Sequence, residues 1–261
     1  MGDNIVIRRT PDIIVSDYVI GSNFTAADYQ TPSIDAVELP INKAKKFHTK
    51  LNTVDRITSD LDLASIFSED ASYQMKIAID TDILRSIPTE ITVNQGATAG
   101  VLSGNINLGS AVAPVAVNSE NIVEHILDHA QALDEQNVTD EGRWILLPSW
   151  AIQKLKLSPL KNADQTGDSV SIQRNGAVGT IDRFTVYRTN NLLVTDASQD
   201  YVNIISGHSA GLAFAAQVSE MEMLQNPSDF GMLVRGLMVY GFKVIEPKFL
   251  TLGRIYETAE A

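Results

Sequence analysis

Seven apolar side chains recur at every fourth position between residues 63 and 87: Leu63, Phe67, Ala71, Met75, Ile79, Ile83 and Ile87. An α-helix turns once in 3.6 residues, so this spacing carries the stripe about 40° around the axis at each step. Its two ends must face different directions. The pattern predicts one helix over 59–87, about 40 Å long at about 1.5 Å per residue. Ser59 or Asp60 can cap the first N–H groups, and Asp60 and Asp62 suit the positive end of the dipole. Pro88 is expected to stop the helix. A helix of this length with a wandering face reads as a strut between separate packing layers, not as one side of a small bundle.

Strand patterns lie on both sides of the strut. Val37, Leu39 and Ile41 alternate with polar neighbours, which predicts one long strand over 36–57 with an edge or bend at Pro40. The only dense basic run, Lys43, Lys45, Lys46, His48 and Lys50, falls on it and is expected to form a solvated face. Behind the strut, 94–118 reads as loop and short strand. A helix follows from a Ser119 cap to about Gln136, with Ile122, Val123, Ile126, Leu127, Ala130 and Leu133 on its apolar face. Trp144–Leu147 reads as a buried strand, and Pro148 opens a short helix over 150–157. After a polar loop at 161–177, strands are expected at 184–188, 202–206, 237–240 and 243–245, with another apolar stretch at 212–218. Strands and helices alternating behind one long strut indicate an α+β fold.

The first 37 residues have a different character. Short β-type stretches, Ile5-Val6-Ile7 and Ile13-Ile14-Val15, precede a Gly, Ser, Asn, Thr and Pro-rich segment from Gly21 to Ser33. Such a segment has few sequence neighbours able to cover Tyr18, Phe24 and Tyr29. Exposed apolar groups on an extended arm usually find another chain; folding back onto their own domain is the open alternative. Arg8 and Arg9, at the base of the arm, could pair with acidic patches on a neighbour. Arg8, Arg9, Tyr18, Phe24 and Tyr29 are thus the candidate intersubunit contacts.

Composition narrows the chemistry. With no cysteine among 261 residues, disulfides, thiol catalysis and thiolate metal sites are excluded. The net charge of −12, from 32 acidic and 20 basic residues, is wrong for a protein that grips nucleic acid through its phosphates. It is compatible with one that merely encloses it. No apolar run approaches the roughly 18–20 residues that span a bilayer, and MGDNIVIRRT lacks the order of a secretory signal, so a soluble chain is expected.

Two motifs have the letters of catalysis. His125 and His129 stand four apart on one helix, a spacing that lets two imidazoles share a metal. The intervening residues do not make a zinc-protease pattern, and both histidines fall off the apolar face, so two surface histidines are expected. A metal-dependent hydrolase using this pair is the alternative from a different functional class. Gly207-His208-Ser209-Ala210-Gly211 matches GxSxG, with a strand before it and 212–216 able to follow as a helix. A triad would need a histidine later in the chain, and none follows His208. The acidic pairs Asp80/Asp82 and Glu220/Glu222 read as solvated surface. No catalytic, metal or cofactor-binding residues are assigned, and no cofactor is expected.

The C-terminal third carries recognisable text. Gly179-Thr180-Ile181-Asp182-Arg183-Phe184-Thr185-Val186-Tyr187 followed by Asn190-Asn191-Leu192 resembles a segment of tailed-bacteriophage major capsid proteins. Ala213-Phe214-Ala215-Ala216-Gln217, Asp229-Phe230-Gly231, Val234-Arg235-Gly236-Leu237 and Val239-Tyr240-Gly241-Phe242-Lys243-Val244 fall in an order similar to that family's tail. Upstream, Arg143-Trp144-Ile145-Leu146-Leu147-Pro148-Ser149-Trp150, Asp55-Arg56, Ala78-Ile79-Asp80-Thr81-Asp82 and Gly2-Asp3-Asn4-Ile5 extend the resemblance over nearly the whole chain.

The resemblance implies the tailed-phage capsid fold, shared with encapsulin shells. Its parts would be an extended-loop arm at 1–37, a peripheral domain at 38–87 and 240–261 that includes the spine helix 59–87, and an axial domain at 88–239. It implies a structural role without enzymatic activity: self-assembly into the pentamers and hexamers of an icosahedral head around double-stranded DNA. Scaffolding, portal and decoration proteins are then expected partners. DNA would be packaged without sequence-specific contact, and no membrane would be involved. The expected location is the virion capsid, assembled in the host bacterial cytoplasm. An encapsulin-like nanocompartment shell is the alternative within this fold. Family members usually carry an N-terminal arm before the hairpin; here Met1 stands directly ahead of Gly2-Asp3, so a chain lacking that arm is expected. Some members crosslink a loop lysine to an asparagine. No lysine precedes Lys43, so this chain should not.

Overall fold

The computed structural model describes residues 4–9, 13–18, 20–21, 29–30, 36–52, 63–158, 179–196 and 199–259. Strands β1 (Asn4–Arg8) and β2 (Ala36–Pro40) pair antiparallel, Asn4 opposite Pro40, as an isolated two-stranded ribbon. Strand β3 (Lys43–Asn52) follows at once, and helix α1 (Leu63–Glu90) is the strut. The single strand expected over 36–57 is thus two. Pro40 lacks the N–H that would continue a ladder, and beyond it the chain leaves β1 to join a different sheet.

That second sheet has three strands in the order β11 (Leu212–Gln225), β12 (Gly231–Val244), β3. The register pairs Phe47 with Gly236 and Lys43 with Tyr240, and Tyr240 in turn with Ala216. Val234, Gly236, Met238, Tyr240 and Phe242 share the face turned to α1, as period-two alternation requires. The expected basic face is divided by the same alternation. Lys46, His48 and Lys50 are exposed, whereas Lys43 and Lys45 are half-buried on the helix side.

The third sheet has eight strands. Its path is β4 (Asn94–Gln95), β13 (Leu250–Glu257), β10 (Tyr201–His208), β6 (Arg143–Leu147), β8 (Phe184–Arg188) and β7 (Thr180–Ile181). Strand β5 (Val115–Val117) pairs with β13, and β9 (Val194–Thr195) with β10. Helices α2 (Ile122–Asp134) and α3 (Ser149–Leu157) pack on it. Ile122, Ile126, Ala130 and Leu133 of α2 meet Ala151 and Leu155 of α3 over Ile145, Leu147, Ile204, Ile205, Leu252 and Ile255 of the sheet.

Sheet membership cuts across the stretches that the sequence reading grouped together. Residues 250–257, expected in the peripheral part, form β13 at the heart of the eight-stranded sheet. Residues 212–239, expected in the axial part, belong mostly to the three-stranded sheet. The reason is the β11–β12 hairpin: fourteen-residue strands need a partner along their length, and β3 supplies it. A short 3₁₀ turn at Pro247–Phe249 then returns the chain to the other sheet. The stretch 212–216, considered above as a possible helix, is strand throughout.

The strut joins both layers. Ile79 is buried against Tyr240 and Phe242, with Met75 and Met238 beside them. Two turns on, Ile87 and Ile91 lie in the core of the eight-stranded sheet, and Ile83 touches both clusters. From Ile79 to Ile87 the helical face rotates by about 80°, which is how one stripe serves two sheets. A polar contact fixes the first of them: Asp82 accepts hydrogen bonds from Lys43 Nζ at 2.9 Å and Tyr240 Oη at 2.8 Å. Burial pushes the Asp82 carboxyl up, but these two donors outweigh it and hold the group below its usual range. The expectation that Asp82 is plain solvated surface is corrected. Pro88 does not stop the helix, which continues to Glu90. Proline removes one N–H donor and crowds one carbonyl, and the buried Ile87 and Ile91 hold the last turn in place on either side of it.

Arg143, only 1% exposed, ties the end of α2 to β6. It donates to Asp134 Oδ1 at 2.7 Å and to the carbonyl of Thr139 at 2.9 Å, while Arg183 bridges Asp134 and Asp140 from the β7–β8 turn. Burial raises the Asp134 carboxyl, and the two guanidinium groups more than reverse this.

Two outcomes are expected. Ile87→Ala costs about 2–5 kcal/mol in urea unfolding, as buried isoleucine truncations do, whereas Ile66→Ala, 44% exposed on the first turns of α1, changes stability by about 0.5 kcal/mol or less. Asp134→Asn costs about 1.5–3 kcal/mol at pH 7, the range for hydrogen bonds to charged groups. Because the Asp134 carboxyl is depressed in the folded chain, its contribution is whole above the unfolded value of about 3.9. The gap between variant and wild type therefore narrows only as pH falls below about 4.

Candidate functional site

The β1–β2 ribbon is the base of an arm that its own body leaves uncovered. Ile13, Ile14, Val15, Tyr18, Ile20 and Tyr29 are 67–92% exposed. Ile5 and Val6 on β1 are also exposed. A two-stranded ribbon in water is marginal by itself, so its shape depends on specific braces. The Gln30 amide supplies one, accepting from Ile14 N at 3.0 Å and donating to Ile14 O at 2.5 Å. This side chain occupies the place a neighbouring strand would take and holds the two limbs together. At the root, Arg9 Nη1 donates to the Ile245 carbonyl at 3.4 Å and lies 3.3 Å from Glu246 Oε2.

The five sequence candidates therefore separate. Tyr18 and Tyr29 stand on the exposed limbs, and Phe24 lies outside the described residues. Arg8 is exposed at the end of β1. Arg9 is paired with Glu246 of its own chain, which makes it an anchor of the arm. Sequence reasoning missed the longer apolar run Ile13-Ile14-Val15, read only as a β-type stretch. Its signal was the lack of any strand pattern beside it that could pair with three successive apolar residues.

The three-stranded sheet carries a second uncovered surface. Strand β11 is an edge of its sheet, and its outer half carries Met221, Met223 and Leu224 at 39–50% exposure. At the hairpin tip Phe230 is 87% exposed, and Lys50 pairs with Asp229 beside it. On the eight-stranded lobe, Val101 and Leu102 are exposed at a loop tip that the Glu135 carboxylate holds through the backbone N–H groups of Leu102 and Ser103, at 2.8 and 3.1 Å. The hydrogen bonds from Ser103 and Leu102 pull the Glu135 carboxyl down to about 2.

The catalytic letters fail on geometry. Ser209 sits in a single 3₁₀ turn between β10 and β11, so the strand–turn–helix of a nucleophile elbow is absent, and His208 Nδ1 accepts from the nearby Ala210 N–H at 3.1 Å. His125 and His129 are not on the surface. They are 3% and 0% exposed between α2 and the sheet. The sequence placed them off the apolar face as surface residues; the helix is instead rolled so that this side faces inward while Leu127 is 45% exposed. Ser206 and Thr251 hydroxyls meet His129 there, and Gly253 leaves it room. Polar residues and a glycine inside otherwise apolar strands were the available signal. Among the described residues no three His, Asp or Glu side chains come close enough to hold a metal ion, and no helix is long and apolar enough to cross a membrane.

No protein-family model matches the sequence, and no curated protein matches it. Solved structures do. A chain of Mycobacterium phage Che8 superposes with a TM-score of 0.71 at 23% identity, over 97% of this chain and 84% of that one. A chain from the capsid of Cyanophage P-SCSP1u gives 0.72 at 13% identity, over 99% and 84%. One from the mature capsid of bacteriophage PhiM1 gives 0.66 at 13% identity, over 99% and 83%. The matches run over nearly the whole chain, and this chain has the fold of the tailed-phage major capsid proteins.

Proposed function

We propose that this chain is a major capsid protein, a structural subunit that works by assembling with copies of itself. The observation that carries this reading is the arm: six large side chains between Ile13 and Tyr29 are 67–92% exposed. A contact between an arm on one copy and a different surface on the next is heterologous, and such contacts close into rings when the rotation permits. Many modest contacts of this kind add through effective concentration. In this reading the β1–β2 ribbon and its connection form the extended loop. Helix α1 with the three-stranded sheet is the peripheral part, and the eight-stranded sheet with α2 and α3 is the axial part. The role is structural, not enzymatic.

The net charge of −12 supports enclosure of DNA without a grip on it. Pentamers and hexamers, an icosahedral head, portal, scaffolding and decoration partners, and assembly in the host cytoplasm belong to the same proposal. An encapsulin-like shell is the rival within the fold, and the phage-capsid matches favour the head protein. Electron microscopy of the purified chain, with nuclease-protected DNA and tail parts sought in particles, separates the two.

The arm provides the sharper test. Replacing Ile13, Ile14, Val15, Tyr18 and Tyr29 with serine should abolish or greatly weaken assembly in sedimentation velocity. The thermal unfolding midpoint of the unassembled chain should stay within about 2 °C, because exposed side chains contribute little to monomer stability. A matched fall in both would mean that the arm packs on its own body, and the proposal would fail.

A further inference from the structure

The histidine pair under α2 has no part in the assembly reading and is unusual for a packed core. Both rings are buried and meet edge to face, with centroids 5.1 Å apart. His129 Nδ1 lies 2.5 Å from Thr251 Oγ1 on β13 and 3.0 Å from Ser206 Oγ on β10, so its ring is pinned to the two central strands of the sheet. On its other side the ring presses on Gly253, where a Cβ would come within 2.5 Å of Nε2. The Nε2 atoms of both histidines are buried without a hydrogen-bond partner.

A neutral imidazole has one donor and one acceptor nitrogen, and a charged one has two donors. Here a second donor would have nothing to receive it, and the charge would be buried unpaired. The ionisable groups on the packed elements do not supply the missing partner. Glu124 is exposed and Asp128 is half-buried on α2 itself, and neither is bonded to a ring. Burial and Glu124 raise the Asp128 carboxyl. On β13, Arg254 is bonded to Gln95, and Glu257 pairs with Lys154 of α3. Asp134 at the end of α2 pairs with Arg143 of β6 and with Arg183, and on β10 His208 accepts from Ala210.

We propose that the two imidazoles make the joint between α2 and the eight-stranded sheet a proton-operated latch, closed while both are neutral and released when acid charges them. Burial lowers the His125 pKa to about 4, and burial with the neighbouring His125 takes His129 well below its ordinary value. The sign follows. A released histidine binds a proton near pH 6.5, and the latched pair does not. The open state therefore gains up to two protons as pH falls from about 6.5 towards 4, and opening grows by up to about 100-fold per pH unit.

Hydrogen exchange of the α2 amides, corrected for intrinsic exchange, tests this in the full chain. Between pH 6 and 4.5 the opening constants of Ile126 and Ala130 should rise about 30-fold or more, relative to β12 amides in the other sheet. The double variant His125→Leu/His129→Asn retains an acceptor beside Ser206 and Thr251 and should lose that excess. The same pH dependence in both sheets, or an excess unchanged in the variant, overturns the proposal. Should the variant not fold, ring-carbon NMR of the wild-type chain decides. Imidazoles that stay neutral until α2 opens support the latch, and ones that titrate near pH 6.5 in the closed fold overturn it.

Discussion

Every layer of this molecule is referred to one helix. The α1 stripe advances about 40° per step, so Ile79 is presented to Tyr240 and Phe242 while Ile87 is presented to a different sheet. Neither sheet alone could set the angle at which the other is held. The Asp82–Lys43–Tyr240 contact locks the first interface electrostatically, with Lys43 also 4.2 Å from the centre of the Phe242 ring. The buried Ile87 and Ile91 lock the second through packing. A strut anchored in both ways ties the two sheets to one another.

The arm obeys the opposite logic. Its ribbon is tied at the root by Arg9 and across its limbs by Gln30, but its apolar side chains face water. The edge and tip of the β11–β12 hairpin have the same character, with methionines, a leucine and Phe230 uncovered. Free strand edges with apolar side chains invite further pairing. Uncovered surfaces therefore stand at two separate places in the fold of this chain. Its strongly negative net charge limits unspecific association in the meantime.

The eight-stranded lobe is polar at two buried points, and the two differ in how the charge is handled. Arg143 is buried with carboxylates and carbonyls around it, so its charge is compensated. His125 and His129 are buried without such partners and remain neutral. One site therefore strengthens the joint between α2 and β6 over most of the pH range, and the other weakens the joint between α2 and the sheet in acid.

By itself the sequence determined the strut, because a period of four over twenty-five residues has only one helical meaning, and most strand and helix types behind it, with 212–225 the exception. The ordered resemblance of short segments along the chain was enough to anticipate the capsid fold. The sequence also placed Tyr18, Phe24 and Tyr29 where few sequence neighbours could cover them, while leaving open whether they fold back. What only tertiary structure decided was membership and orientation. The apolar stretch at 212–218 and the strands at 237–240 and 243–245 are legible in the sequence, but not which sheet each joins. That depended on β3 offering a long edge to β12 and on the turn at 247–249. In the same way the sequence put His125 and His129 off the apolar face, and the hydroxyls of Ser206 and Thr251 and the bare Cα of Gly253 meet His129 on the inward side. Local periodicity constrains each segment separately, whereas the choice among equivalent partners is made by contacts between residues far apart in the chain.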